Sequence, residues 1–374
     1  MRVRSSIKAG ISLLGKHRST LKRRFLIYMI VMLMFFPFVF VNRTEIYRTF
    51  LSNFDEEQYS YTEEGLVVTD YGYQTGVYIG PHITIRAVSN KAIHYYDEML
   101  EGNSTAGQFF NNSIDFILEK INVFNVPTEN GTKTICNWPY EFSIYGLPVG
   151  WTSGMVDAKA IHTLALAYEA YGNSTYLEIV EQVAGTFETP VSLGGNLYIL
   201  EDGTSWYPEL IVTSDLDPNY KPPFVFNGFL IALYHIYQAN LIFNNSRLER
   251  VFNLGVISAA QNIHLYDSAY EWSIYHLGYP LKLASRNYHR IHINMCNFLY
   301  DYTNVTIFKH YADKWAGFDN PPPFTWEEIV SPEFIGYGLL MAGIIFFPLL
   351  SIDIIQTLVR RRMKHSSKSN DNSP

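Results

Sequence analysis

Two uninterrupted apolar runs bracket a long middle segment whose apolar residues recur mostly at helical spacing. The first run, 25–41, contains no charged residue and is just long enough for a helix that spans a bilayer. A signal peptide is the rival reading, but the residues after Val41 lack a small-x-small cleavage pattern. The second run, 334–352, is closed by Asp353 and then by Arg360, Arg361, Arg362 and Lys364, which predicts a second spanning helix over 334–357 with a stop-transfer flank. Between them, 42–84 shows short aromatic and β-branched runs such as Leu66-Val67-Val68-Thr69, broken by Gly72, Gly76, Gly80 and Pro81. That alternation predicts a few strands and turns.

From about residue 85 the period changes. Ile85, Val88, Ala92, Tyr95 and Met99 recur every three or four residues, as do Phe109, Ile114, Ile117, Leu118 and Ile121. Val156, Ala160, Leu164 and Ala167, then Tyr176, Val180 and Val183 across a Gly-Asn-Ser break, predict a helical hairpin. Further helices are predicted over 226–238, 248–263, 288–300 and 307–315. The expected fold is all-α, an α/α toroid (an incomplete α/α barrel) over 85–320, with strand signal beyond residue 85 only near 196–200. A Pro-rich linker, 321–333, leads to the second span, so one transmembrane helix is expected at each end of the chain.

Charge orients this arrangement. Of 28 Lys and Arg, eight lie in the tail 1–24 and five in the tail 358–374, and basic flanks stay cytoplasmic. Both termini are therefore expected in the cytoplasm, with 42–333 outside it at a cell surface or in a secretory lumen. The middle segment carries about −18, since 33 of the 35 acidic residues lie in it. Such a field disfavours nucleic acid and heavily sulfated polymers. Asn-x-Ser/Thr sequons begin at Asn42, Asn103, Asn111, Asn130, Asn173, Asn244 and Asn304, all in that segment. Cys136 and Cys296 leave a disulfide open.

Four blocks carry a resemblance. They are Trp151-Thr152-Ser153-Gly154-Met155 leading into Ala160-Ile161; Trp206-Tyr207-Pro208-Glu209; Phe224-Val225-Phe226-Asn227-Gly228-Phe229; and Ile274-Tyr275 followed by Arg286, Tyr288, His289, His292, Ile293 and Asn294. In this order they resemble the C-terminal catalytic domain of the D-glucuronyl C5-epimerases. The resemblance implies an α/α-barrel domain acting on a uronic-acid-containing glycan, converting D-glucuronate to L-iduronate units without a cofactor. It implies that Tyr275 and Tyr288 match functional tyrosines, helped by a glutamate. There are departures. Leu210 and Ile211 stand where the family has Tyr-Pro, Pro208 interrupts the Trp-Tyr-Glu-Glu block, and Gly278 replaces an arginine. Tyr220 is a candidate substitute for the lost tyrosine. Only about 45 residues are left for the β-rich module of animal members.

The chemistry can be posed independently of the family. Removing the C5 hydrogen builds charge next to a carboxylate, so cations or strong donors must neutralise that group. Arg286 is the chosen carboxylate holder because it is bidentate and sits in a local basic cluster with Lys282, His289, Arg290 and His292. Inversion also needs proton donors and acceptors on both faces of the ring, for which Tyr275, Tyr288, Tyr207 and Glu209 are the catalytic candidates. A phenol acts as base only where cations lower its pKa. Asn227, Trp151, Tyr220, His289 and His292 are the further substrate-binding candidates, with alternatives open for four of them: Asn227 as a helix cap, Trp151 as a wedge at a helix start, and the two histidines as a pair satisfied by a backbone carbonyl. His-x-x-His without a third ligand is too weak a pattern for a metal. A uronate lyase, a glycoside hydrolase and a non-catalytic glycan-binding ectodomain remain as alternatives, and a homodimer is left open.

Overall fold

The computed structural model describes residues 58–317, apart from 75, 76, 130, 269–271, 279 and 280, together with Ile30. Both expected spans apart from Ile30, the two tails, the linker and Asn42 lie outside the described residues. The residues from 58 onward belong to one compact unit, Ser52–Pro322. Among the described residues no helix is long and apolar enough to cross a membrane.

The lead-in is a small antiparallel sheet of β1 (Gln58–Tyr61), β2 (Val67–Asp70) and β5 (Pro81–Ile83), with a two-residue ribbon of β3 (Tyr73–Gln74) and β4 (Val77–Tyr78) inserted. Thr84 ends it: its hydroxyl accepts from the Ala87 amide and caps α1 (Ile85–Leu100). Helix α2 (Ser104–Glu119) then folds back on α1, and a hairpin of β6 (Asn122–Thr128) and β7 (Gly131–Asn137) follows. This hairpin of two seven-residue strands was not expected. Pro127 interrupts the strand pattern of β6, yet it pairs with Thr132 next to the turn.

The remaining elements are α3 (Gly154–Tyr171), α4 (Thr175–Phe187), the short β8 (Tyr198–Ile199) and β9 (Ser205–Trp206), α5 (Phe226–Phe243), α6 (Ser246–Asn262), β10 (Ile274–His276), β11 (Lys282–Leu283), α7 (Arg286–Thr303) and α8 (Thr306–Ala316). Helices α1, α3, α5 and α7 touch in succession, and each is backed by the helix that follows it in the chain. The molecule is thus mostly helical, in two alternating rows, behind a short β segment.

Contacts between neighbouring first-row helices show that they run parallel. Lys159 of α3 reaches Asn90 of α1 near their starts, and Tyr96 donates to Glu169 near their ends. His162 meets His235 of α5 midway, and Tyr168 meets Phe243 further on. Phe226 packs on His292 of α7, and Tyr237 on Tyr302. Parallel helices of 16 to 18 residues put all four N-termini at one end and all four C-termini roughly 25 Å away. Helix α3 has neighbours on every side, and every residue from Gly154 to Ala167 is buried. Cys136 and Cys296 are both buried and both free, so no disulfide joins them.

Candidate active site

The loop before α5 is held against the start of α3. Thr152 pairs with Ile211, and the Gly154 amide donates to the Pro208 carbonyl at 2.9 Å. A β-carbon on Gly154 would lie only 3.0 Å from that carbonyl oxygen, so the small residue at the head of α3 permits the contact. Glu209 is thereby set over the start of α5. A β-carbon on Gly228 would fall 2.2 Å from the Glu209 Oε2 and 2.5 Å from its Cβ; glycine follows Asn227 because Glu209 occupies the space.

Glu209 is half-buried as a residue, but its Oε2 is buried and has no hydrogen-bond partner. Burial pushes its carboxyl up to about 7, against the opposing pull of Arg86 and Lys159. Lys159 is nearly enclosed and donates to Asn90 at 2.5 Å; burial, with Arg86 adding to it, brings its ammonium down to about 8. Arg86 lies in the first turn of α1 and also reaches the Tyr71 hydroxyl. The sequence reading missed Arg86 and Lys159. The available signal was Lys159 itself, a cation inside the apolar run Ala158 to Ala167.

The second half of the site comes from β10 and α7. Val225 bridges to His276, and the amides of Leu277 and Gly278 donate to the Pro223 carbonyl, which ties β10 to the entry of α5. The Ser285 hydroxyl accepts from the Tyr288 amide and caps α7. Tyr275 and Tyr288 then stack, with ring centroids 4.8 Å apart and planes at 24°. Burial raises the Tyr275 phenol well above its ordinary range, and the charge of Glu209 adds to this. Tyr275 therefore holds its proton as a donor and is no ready base, contrary to the base role weighed for it. Tyr288 is 39% exposed. Tyr145, with φ at 54°, and Phe224, with φ at 52°, are held in the left-handed region beside these elements. Tyr145 is close enough for its charge to act on Tyr275.

Arg286 is the first residue of α7, and its Nε is buried without a partner; Asn227 Oδ1 and His276 Nδ1 share that condition. Buried polar atoms normally find partners, so these three atoms, beside the N-terminal ends of α5 and α7, together with Glu209 Oε2 mark a polar site. Asn227 is the second residue of α5 and makes no cap; Val225 is the cap residue, without a side-chain bond.

Other expected site residues are occupied elsewhere. The Tyr207 hydroxyl donates to the Val251 carbonyl at 2.8 Å, with the ring buried against Phe187 and Phe229. Trp151 stacks on Tyr140 at 3.7 Å, donates to the Phe142 carbonyl and is buried, so no face is open to a sugar. Tyr220 donates to the carbonyl of Leu210, the position whose tyrosine it was expected to replace. For His289 and His292 the sugar-binding expectation is corrected, while the backbone-carbonyl alternative holds for His289. The Ser273 amide donates to His289 Nδ1 at 3.1 Å, and the Ser273 hydroxyl lies 2.8 Å from that atom and 2.7 Å from His292 Nδ1. His289 Nε2 donates to the Trp315 carbonyl while its ring stacks on Trp272 at 3.6 Å. Burial holds His292 down at about 3. The pair is a neutral packing element joining α7 to the segment before β10 and to α8.

Residues 131–317 match the family described as D-glucuronyl C5-epimerase C-terminus. The chain belongs to that family. Over those residues it is a carbohydrate-epimerase-like protein. An uncharacterised protein of Methanocaldococcus jannaschii is 28% identical over 261 residues, 66% of this chain and 81% of that protein. The D-glucuronyl C5-epimerase of Caenorhabditis elegans is 27% identical over 188 residues, 46% of this chain but only 29% of that enzyme. Among solved structures, the GH76 α-mannanase of Bacteroides thetaiotaomicron superposes with a TM-score of 0.44 at 13% identity, over 77% of this chain and 72% of that one. A likeness that weak decides neither fold nor activity.

Proposed function

We propose that this protein is an isomerase that inverts C5 of D-glucuronate residues, giving L-iduronate, within an extracytoplasmic glycan. The observation that carries the reading is the unpaired carboxylate of Glu209, near neutral in its titration, among Arg86, Lys159 and the stacked Tyr275–Tyr288 pair. Glu209 takes the C5 proton. The charge released into the substrate carboxylate is balanced by Lys159, Arg86 and Arg286. A phenol of the Tyr275–Tyr288 pair returns a proton to the opposite face, and the exposed edge of Tyr288 re-equilibrates it with water. The two rows of helices support reading the domain as an incomplete α/α toroid. The basic flanks support cytoplasmic termini, with 42–333 on the other side of the membrane, and the acidic middle favours a glycan of low charge density.

The test is incubation of a glucuronate-containing glycan with the purified chain in deuterated water. Epimerisation leaves deuterium at C5 with both configurations present. An unsaturated product absorbing in the near ultraviolet would instead identify a lyase. Binding without any C5 label would overturn proton-abstraction chemistry and leave a glycan-binding protein.

A further inference from the structure

The four turns that join a first-row helix to its second-row partner share one sequence feature. Asn103-Ser104-Thr105 lies between α1 and α2, Asn173-Ser174-Thr175 between α3 and α4, Asn244-Asn245-Ser246 between α5 and α6, and Asn304-Val305-Thr306 between α7 and α8. Each is an Asn-x-Ser/Thr acceptor. All four asparagines are exposed, and so are Thr105, Thr175, Ser246 and Thr306 two residues on. Asn42, Asn111 and Asn130 follow no such register.

Turn chemistry alone favours Asn and Ser or Thr at helix ends, so the coincidence must be weighed against it. The asparagines do not share one structural job. Asn103 is the N-cap of α2 and accepts from the Ala106 amide, Asn173 accepts from the Thr175 amide, and Asn244 and Asn304 are left-handed C-caps of α5 and α7. In the first and third hairpins, moreover, a neighbour does part of the work: Gly102 takes the positive φ in one, and Asn245 caps α6 in the other. The hydroxyls are the sharper discriminator. Among the described residues none of the four makes a hydrogen bond, so the fold does not use the group that an acceptor sequence requires.

We propose that these four turns are N-glycosylation sites, and that the sugars cover the end of the domain opposite the candidate active site. The proposal rests on the extracytoplasmic reading above. In the transfer, Nδ2 of each asparagine bonds to C1 of the reducing-end sugar of a lipid-linked (pyro)phosphate oligosaccharide. The C1–O bond to phosphate breaks, and the displaced amide proton leaves with the lipid phosphate. Parallel first-row helices place the acceptors roughly 25 Å from the N-terminal ends that carry Arg86, Asn227 and Tyr288. One end of the domain is then coated while the other stays open to a polymer.

The experiment is peptide mapping by mass spectrometry of the full chain from its native membranes, before and after chemical deglycosylation. It is paired with protease protection in sealed vesicles whose cytoplasmic face points outward. The expected result is sugar on the Asn103, Asn173, Asn244 and Asn304 peptides. Each of Thr105→Ala, Thr175→Ala, Ser246→Ala and Thr306→Ala should then remove one step of a mobility ladder. These substitutions keep the turn asparagines and delete unbonded, exposed hydroxyls, with one methyl besides in each threonine. A protected middle segment with all four peptides bare overturns glycosylation and leaves the topology standing. Bare peptides with cleavage inside 42–333 overturn both.

Discussion

Glu209→Gln isolates the electrostatic claim on which the site depends, without requiring a known substrate. The wild-type carboxyl titrates near 7 against an ordinary 4.5 because burial penalises its charged form more than Arg86 and Lys159 favour it. Between those two values the native state binds the proton and the unfolded chain does not. Stability therefore falls as pH rises through this window, and the loss is complete above about 7. The displacement corresponds to about 3 kcal/mol at 1.36 kcal/mol per pH unit. Glutamine keeps the shape and cannot ionise. Urea unfolding of wild type and Glu209→Gln should thus show the variant gaining about 3 kcal/mol relative to wild type between pH 4 and pH 8. Asp157, also raised to about 7 by burial, affects both proteins and drops out of the difference. Two stability curves that stay parallel across that range would refute the burial argument, and with it the assignment of Glu209 as a base poised near neutrality.

C5 exchange should follow a bell in pH, rising near 7 as Glu209 loses its proton and falling near 8 as Lys159 loses its charge; a flat profile from pH 6 to 9 would contradict both roles. Tyr288→Phe removes one hydroxyl from the stacked pair and should abolish exchange while glycan binding persists, measured by deuterium incorporation and by calorimetry. Gly228→Ala drives a methyl into Glu209 and should cut exchange about 100-fold, as displacements of about 1 Å at a reacting group do. Ser273→Ala unpairs His292 Nδ1 and should cost about 1–3 kcal/mol of stability, seen as a lower urea midpoint with exchange per folded molecule unaltered.

Local pattern was enough for much of the helical framework. The apolar periodicity of 226–238, for example, lies wholly within α5, which runs to Phe243, because a helix buried on most sides needs continuous apolar spacing whatever its neighbours are. The ordered blocks also pointed to the segments that meet, since Glu209, Gly228, Tyr275 and Tyr288 all fall within them. Which of their side chains face one another was decided only by packing. Tyr207 and Glu209 are two residues apart, yet one hydroxyl closes on the Val251 carbonyl and the other side chain lies over Gly228. His289 and His292 were substrate candidates through their place in the block beside Arg286, but Ser273, brought close only by the fold, ties both into the core. Arg86 and Lys159 stand 73 positions apart and influence the same carboxylate because α1 and α3 run side by side. A linear motif records which residue types recur, whereas the charge state of Glu209 depends on solvent exclusion by helices distant in sequence, and that quantity exists only once the chain has folded.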